Sequence, residues 1–369
     1  MKARFLLVVM LTAIVFLLFL SGCHKPTELE QVSKPVFSPP GGTYDNAVEV
    51  VISTATTGAT ILYTTDGSDP DLNSPVYAGP ILVSETITLK AKAYRTGMQD
   101  SAIATESYTI ELPPPPENFV LVPGGTFNPT TDYTVTLSSF YICKHEVTQA
   151  EYQAVMGTNP SWFSGNPNRP VEQVTWFNAI EYCNRRSMQE GLTPCYSYLN
   201  YGTNPDKWPT GWNTSLTNDT NVSCNWSTNG YRLPTEMEWM FAAKGGNQSQ
   251  GYTYSGSNDI DAVAWYTNNS DIGDGQGRRT HNVGGKAANE LGTFDMSGNV
   301  WEWCWDIYGD YPTGSYTDPT GPVGEAAHHL FRGGGWNIDD NFCAVSFRDR
   351  NYATVKALTL GFRCLRVSP

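Results

Sequence analysis

The stretch of sequence that decides the fold is Gly298-Asn-Val-Trp-Glu-Trp303, followed by Phe331-Arg-Gly-Gly-Gly-Trp336. Three further motifs occur in register with these two: Phe140-Tyr-Ile-Cys-Lys-His-Glu-Val-Thr148, Arg232-Leu-Pro-Thr-Glu-Met-Glu-Trp239 and Leu360-Gly-Phe-Arg-Cys364. The segments between them are rich in Gly, Asn and Trp and show little periodicity, which indicates ordered loops rather than long regular elements. This part of the chain is therefore predicted to be α+β with few helices.

Capping signals place three helices in the same region. Thr148-Gln-Ala-Glu151 and Thr235-Glu-Met-Glu238 are capping boxes, in which the Thr and the Glu satisfy each other's exposed backbone amides. Gly157 is a natural stop for the first helix. A further helix is predicted to begin after Thr175 and to run to Gly191, with one apolar face made by Trp176, Ile180 and Cys183.

Composition restricts the class of protein. The 369 residues carry a formal net charge of −13, and charged residues make up 16%, against roughly 25% in an average soluble domain. The 12% of aromatic residues argues against a disordered chain. Nothing in the sequence supplies the basic patch that a nucleic-acid binder normally carries. The length suits about two globular domains.

The N-terminus is typical of an exported protein. A basic start, an apolar run from Phe5 to Leu20 and the small residues before Cys23 form a secretory signal pattern. A membrane-spanning anchor is the alternative, although the run is shorter than the ~20 residues that a bilayer requires. Leu20-Ser-Gly-Cys23 also resembles the bacterial lipobox. That resemblance implies removal of residues 1–22, lipidation of Cys23, and a membrane-anchored protein at the outer membrane, the cell surface or the periplasm.

Linkers divide the exported chain into two domains. Residues 23–34 are polar and unpatterned, as expected of a lipidated tether, and residues 113–117 form a proline-rich spacer. Residues 35–112 lie between them and residues 118–369 follow. Alternating apolar residues such as Val48, Val50 and Ile52 predict that the first domain is an all-β, Ig-like sandwich.

Two segments of the first domain carry a family resemblance. They are Tyr63-Thr-Thr-Asp-Gly-Ser-Asp-Pro70 and Leu89-Lys-Ala-Lys-Ala-Tyr94, and they resemble the chitobiase/hexosaminidase C-terminal-like module. That module is non-catalytic, so the resemblance implies a spacer or a weak adhesion unit.

The five motifs of the second domain together resemble the formylglycine-generating enzyme, or sulfatase-modifying factor, domain over about residues 118–367. The resemblance implies a compact, C-type-lectin-like fold with little regular secondary structure. Active members of that family oxidise a Cys of a sulfatase to formylglycine, using molecular oxygen and a copper ion held by two cysteines.

The two cysteine positions of the family fall on Ile338 and Cys343 in this chain, so one thiolate is missing. A Ser of active members is Gly335 here, whereas Trp301 is retained. Two thiolates make a linear site for the soft Cu(I) ion, and one Cys opposite an Ile offers no comparable site. The sequence therefore favours a catalytically degenerate domain. The alternative is an active oxidase that uses Cys343 with copper and an unusual second ligand.

The resemblance also implies a calcium site. Its ligands would be the carboxylates of Asp295 and Glu302 and the backbone oxygens of Gly298 and Val300. A hard cation prefers that mixture of carboxylate and carbonyl oxygens. The alternative is that Glu302 is a hydrogen-bonded acid between two tryptophans.

The eight cysteines divide into several groups. The family resemblance implies a disulfide between Cys183 and Cys364. A second disulfide is predicted between Cys195 and Cys224, which bracket a loop rich in Asn, Thr and Trp. The remaining cysteines besides Cys23 are Cys143, Cys304 and Cys343. Their odd number leaves at least one thiol free or bound to something else, and a bridge between Cys304 and Cys343 stays an alternative to a free nucleophile.

Three functions remain open for this sequence. The leading hypothesis is a lipoprotein that binds a polypeptide or a glycan in a groove, and the candidates for the wall of that groove are Arg332, Trp301, Trp303 and Trp336. Core packing is the competing role for these tryptophans. The second hypothesis is the oxidase, and the third is a structural component of the cell envelope.

Overall fold

The computed structural model describes residues 29–111, 114–322 and 328–368. The chain divides into two compact units, Met1–Glu111 and Leu112–Pro369. The predicted signal peptide, the lipidation site Cys23 and the first part of the tether lie outside the described residues. Within the described ranges, no helix has the length and apolar character needed to cross a membrane.

The first unit is a β-sandwich, as predicted. One sheet has the strand order β1-β3-β5 and the other has the order β2-β7-β6-β4. The core between them includes Phe37, Val50, Ile52, Leu89 and Tyr108, which come from both sheets. Its strands are β1 (Val36–Ser38), β2 (Gly42–Tyr44), β3 (Val48–Ser53), β4 (Thr60–Thr64), β5 (Ile81–Val83), β6 (Ile87–Tyr94) and β7 (Ala104–Ile110).

The helices of the second unit begin at the predicted residues. Thr148, Thr175 and Thr235 each cap a helix and accept a hydrogen bond from the backbone amide three residues later. Gly157 ends the first helix in a left-handed conformation with φ of 75°, which a glycine adopts without strain. The helices described here are α1 (Gln149–Met156), α2 (Trp176–Gln189), α3 (Glu236–Ala243) and α4 (Ile260–Val263).

The strands of the second unit are short and form several small sheets. Two sheets have four strands each, in the orders β14-β20-β11-β8 and β18-β17-β15-β19, and β16-β10-β9 and β12-β13 are smaller. The strands are β8 (Phe119–Val122), β9 (Gly125–Thr130), β10 (Tyr133–Leu137), β11 (Phe140–Cys143), β12 (Tyr196–Tyr198), β13 (Val222–Cys224), β14 (Tyr231–Arg232), β15 (Trp301–Ile307), β16 (Gly314–Thr317), β17 (His329–Arg332), β18 (Asp349–Asn351), β19 (Leu360–Gly361) and β20 (Leu365–Val367).

Two apolar clusters hold these elements together. One is built around helix α2 and includes Trp176, Trp303 and Phe362. The other is built around α3 and includes Trp239 and Met296. Strand β15 contributes side chains to both clusters, Trp303 to the first and Cys304 to the second. The predicted combination of few helices, short strands and long ordered loops is confirmed.

Candidate functional site

Three of the five motifs lie side by side on strand β15 and its neighbours. Glu302 of β15 is the register partner of Arg332 on the antiparallel strand β17 and of Gly361 on the parallel strand β19. The residues between Gly298 and Trp303 are almost completely buried. The charged side chains of these motifs therefore have to find partners inside the protein.

Glu302 is paired with Arg363, and neither side chain is exposed to solvent. Arg363 Nε donates a hydrogen bond of 2.5 Å to Glu302 Oε2, and Arg363 Nη2 donates one of 2.6 Å to Oε1. Trp239 Nε1 from helix α3 donates a third bond, of 2.7 Å, to Oε2. Burial lowers the pKa of Arg363, but the charge and hydrogen bonds of Glu302, together with the charge of Glu146, outweigh burial and raise that pKa above its usual value.

The other donors of Arg363 bind backbone oxygens of distant segments. Nη1 donates to Cys143 O at the end of β11, and Nη2 donates to Phe294 O. The pair with Glu302 thus connects β15, β11, helix α3 and the segment that leads to Asp295. Arg363 and Trp239 lie within two of the sequence motifs, but neither residue was predicted to have a role. A charged residue between Phe362 and Cys364 was the available signal, since both neighbours are apolar and buried.

Two further carboxyl groups lie close to Glu302. Asp295 Oδ2 accepts a bond of 2.6 Å from Gly284 N, whereas Asp295 Oδ1 and both oxygens of Glu146 are buried and receive no N–H donor from the described residues. A hydrogen bond between the two carboxyl groups themselves lowers the pKa of Asp295. Burial raises the pKa of Asp295 to about 6. Burial also raises the pKa of Glu146 well above its usual value, and the charges of Asp295 and Glu302 raise it further.

These contacts decide how well the predicted calcium ligands fit. Asp295 offers an oxygen that receives no N–H donor from the described residues. Glu302 does not, because Arg363 and Trp239 occupy both of its oxygens and Arg363 neutralises its charge. The residues described here contain no group of three or more His, Cys, Asp or Glu side chains placed to hold a metal ion. The ligand set Asp295, Gly298, Val300 and Glu302 therefore does not fit a calcium ion as arranged here.

The two cysteine positions of the oxidase differ in their surroundings. Ile338 is partly buried and packs against the core, and its backbone oxygen accepts a hydrogen bond of 3.1 Å from Thr267 N. Cys343 is completely buried, and a Cβ at Gly334 would lie 2.6 Å from its sulfur, so the loop encloses the thiol closely. Burial raises the pKa of Cys343 to about 12. A protonated thiol opposite an isoleucine does not fit Cu(I).

All seven cysteines among the described residues are free thiols. The sulfur atoms of Cys183 and Cys364 are 3.8 Å apart, which is contact distance rather than a bond. Cys224 is paired in register with Tyr196, the neighbour of Cys195, so the second predicted pair also lies on adjacent backbone. Neither predicted disulfide is formed in this structure, and oxidation of both pairs stays a prediction.

The three remaining cysteines are also enclosed. Burial raises the pKa values of the Cys143 and Cys304 thiols, as it does for Cys343. The sulfur of Cys304 lies 4.0 Å from Glu302 O, and that of Cys343 lies 4.0 Å from Asp339 O. The alternative bridge between Cys304 and Cys343 is not formed.

The predicted groove wall is wrong for Arg332 and Trp303. Arg332 is completely buried because Glu236 neutralises it through an ion pair with Nη2, while Nη1 donates to two backbone oxygens. Trp303 is also completely buried and donates a bond of 3.0 Å from Nε1 to Val174 O. Trp301 is 5% exposed and packs on Phe331.

Trp336 is the one groove candidate with partial exposure. Its ring meets Phe163 edge to face at 5.3 Å, and its Nε1 donates a bond of 3.1 Å to Leu358 O. The four side chains therefore do not form a common wall, because three of them belong to the core.

Known proteins show the same division of the chain. Residues 108–368 match the family described as sulfatase-modifying factor enzyme 1-like domain, and residues 39–105 match the chitobiase/beta-hexosaminidase C-terminal domain. A protein of Paenibacillus barcinonensis, named chaperone protein LppX, is 43% identical over 265 residues, which are 68% of this chain and 89% of that protein.

Two further proteins are similar to a part of the chain or to most of it. The formylglycine-generating enzyme of Streptomyces coelicolor is 34% identical over 167 residues, which are 40% of this chain and 49% of that enzyme. The solved structure of Treponema denticola variable protein 1 has a TM-score of 0.59 and 32% identity, and the match covers 75% of this chain and 98% of that one. With the family match extending over residues 108–368, the chain belongs to the sulfatase-modifying factor enzyme 1-like family.

Proposed function

We propose that this chain is an exported, lipid-anchored protein whose second unit binds polypeptides and does not oxidise cysteine. The observation that carries the proposal is the replacement of one of the two copper-binding thiolates of active relatives by Ile338. The side chain of Ile338 packs against the core and offers no electron pair to a metal. The family fold is therefore present without the donor set that its oxidase chemistry requires.

The state of the second thiol supports the same conclusion. A thiol reacts or binds a metal as the thiolate, so its pKa and its access to solvent decide its reactivity. Cys343 is completely buried, and burial raises its pKa to about 12, although a hydrogen bond from the Gly335 amide lowers it somewhat. Almost none of Cys343 is then ionised at neutral pH. The oxidase alternative would need both a new second ligand and an opening of the loop around Gly334.

We expect no formylglycine when the mature protein is incubated with Cu(I), oxygen and a Cys-x-Pro-x-Arg peptide. The physical reason is the missing thiolate at Ile338 and the buried, protonated thiol of Cys343. Mass spectrometry of the peptide measures the product directly. The matched control is Cys343→Ala. Aldehyde that forms with the wild-type protein and disappears with Cys343→Ala would establish the oxidase and end the proposal.

The choice of a polypeptide over a glycan as the ligand rests on the name of a similar protein. The Paenibacillus barcinonensis protein, 43% identical over 265 residues, is named a chaperone. The match includes 89% of that protein, so nearly all of it has a counterpart here. The buried positions of Trp301 and Trp303 also remove two of the aromatic faces on which a sugar could stack. A purely structural role in the envelope stays open as the third hypothesis.

We expect the mature protein to slow the aggregation of an unfolded client, because a polypeptide-binding protein competes with contacts between client chains. A chemically denatured client enzyme is diluted into buffer, and light scattering is followed over time. Scattering should fall as the ratio of this protein to client rises, and the same mass of serum albumin serves as the control. Scattering equal to that with albumin at every ratio would rule out the proposed chaperone-like activity.

Calcium binding at Asp295 stays a prediction of the family resemblance, and the contacts of Glu302 weigh against it. A ligand that binds only the folded state raises the thermal midpoint by mass action. We expect the midpoint to be the same in calcium and in chelator, because Arg363 already neutralises Glu302. Asp295→Asn is the matched control. A chelator that lowers the midpoint of the wild type and leaves that of Asp295→Asn unchanged would show that calcium binds here after all.

A further inference from the structure

A cavity of about 410 Å³ lies in the second unit. Its lining combines the polar side chains of Asn166, Arg169, Arg279, His281 and Asn282 with those of Trp265 and Ile272. These residues come from loops that are distant in sequence. None of these residues has a role in the proposed function.

Arg169 is the residue whose state requires an explanation. Its side chain makes no hydrogen bond or ion pair with any residue in the described ranges, and its Nε is buried without a partner. Burial and then the neighbouring charge of Arg279 lower the pKa of the Arg169 guanidinium. Arg279, in contrast, forms an ion pair with Asp274. Arg169 is therefore a partly buried cation without an ion-pair partner among the described residues, and the acidic group that acts on it, Asp274, is already paired with Arg279.

The rest of the lining adds a second guanidinium group, that of Arg279, and unused donors. Trp265 Nε1 and Arg279 Nε are buried without a partner among the described residues. Lys286 Nζ lies 4.2 Å from the centre of the Trp265 ring. The acidic groups near this side of the cavity are Asp274 and Asp271, and Asp274 is already paired with Arg279. The lining itself carries two guanidinium groups and no carboxylate, and such a site attracts anions even in a chain of net charge −13.

Two aromatic rings restrict the kind of anion. The Trp265 ring is stacked on His281 at 3.9 Å and 17°, while Lys286 approaches the ring at 4.2 Å. Two groups this close to the ring centre have to lie on opposite faces, so neither face is open. Burial, followed by the charges of Arg279, Arg169 and Lys286, lowers the pKa of His281, which keeps its ring neutral. A sugar would find no free aromatic face here, whereas a carboxylate needs only the guanidinium.

We propose that this cavity binds a carboxylate group of a polypeptide, with Arg169 holding both carboxylate oxygens through its planar guanidinium. The planar fork of Arg matches a carboxylate in two parallel hydrogen bonds. Asn166 and Asn282 lie on the same lining, where Asn166 Nδ2 donates a bond of 2.8 Å to Asn282 Oδ1, and the Nδ2 group of Asn282 is left to bind the adjoining peptide backbone. The inference rests on the proposed polypeptide binding and deepens it, because it names the group that is recognised. The carboxylate can come from the C-terminus of a chain or from an Asp or Glu side chain.

Calorimetric titration of the whole mature protein with short synthetic peptides tests the proposal. One peptide has a free C-terminus and no acidic residue, a second is blocked at both ends and contains one Glu, and a third is blocked and neutral. We expect at least one of the first two peptides to bind and the neutral one not to bind. The arm that binds identifies the source of the carboxylate. Failure of both acidic peptides overturns the proposal, as does equal binding of the neutral one.

The variant Arg169→Gln separates this site from other contacts. Loss of a charged hydrogen-bonding partner is expected to weaken binding about tenfold or more. The matched control is Arg95→Gln, which removes the same charge from an exposed position in the first unit. Unchanged affinity in Arg169→Gln would overturn the assignment. Glucuronate or sulfate that binds through Arg169 while the acidic peptides do not would also overturn it, in favour of a glycan or a simple anion.

Thermal melting without ligand gives a second readout. Arg169 lacks a partner in the described ranges, so Arg169→Gln is expected to melt at or above the wild-type midpoint. A lower midpoint would mean that Arg169 supports the fold and would contradict the proposal. The aggregation assay keeps the two claims distinct. Suppression of aggregation without binding of either acidic peptide overturns only the carboxylate site, whereas a wild-type protein that suppresses nothing overturns the proposed function itself.

Discussion

The ion pair between Glu302 and Arg363 is the interaction on which the second unit depends. Both side chains are completely buried, and Trp239 donates a further hydrogen bond to the carboxylate. Loss of one partner from such a pair leaves a buried charge and costs about 3–5 kcal/mol. The guanidinium also binds the backbone of Cys143 and Phe294. A fold made mostly of short strands and loops thus has one point at which four segments are fixed.

This arrangement explains how the family fold can persist while its chemistry changes. The pair and its hydrogen-bond donors do not include Ile338 or Gly335, at which this chain differs from active relatives. They do not include Cys343 either, at which it resembles them. Substitutions on the loop after Gly334 therefore do not touch the central pair. A second buried pair, Arg332 with Glu236, stabilises strand β17 against helix α3 in the same way. The stability of the domain and the reactivity of its thiols are separate properties.

The fold could be predicted from the sequence, whereas the contacts of the candidate site could not, because those contacts join residues that are far apart in the chain. Capping residues such as Thr148 and Thr235 act on the next three residues, so local sequence predicts helix starts well. Arg332 was predicted to line a groove, whereas its partner in the structure is Glu236, which lies 96 residues away in the sequence. The ion pair between Glu302 and Arg363 likewise joins residues that are distant in sequence. Distant segments also surround Arg169 and leave its Nε without a hydrogen-bond partner among the described residues. No spacing rule reports such contacts.

The most direct test of this account is a double-mutant cycle on Glu302 and Arg363, using Glu302→Gln, Arg363→Met and the double variant. Denaturant unfolding is followed by tryptophan fluorescence, which reports on the second unit because all 11 tryptophans follow residue 112. Each single substitution should lower the free energy of unfolding by about 3–5 kcal/mol, and the double variant should lose clearly less than the sum. Small, additive losses would contradict the claim that this pair holds the domain together.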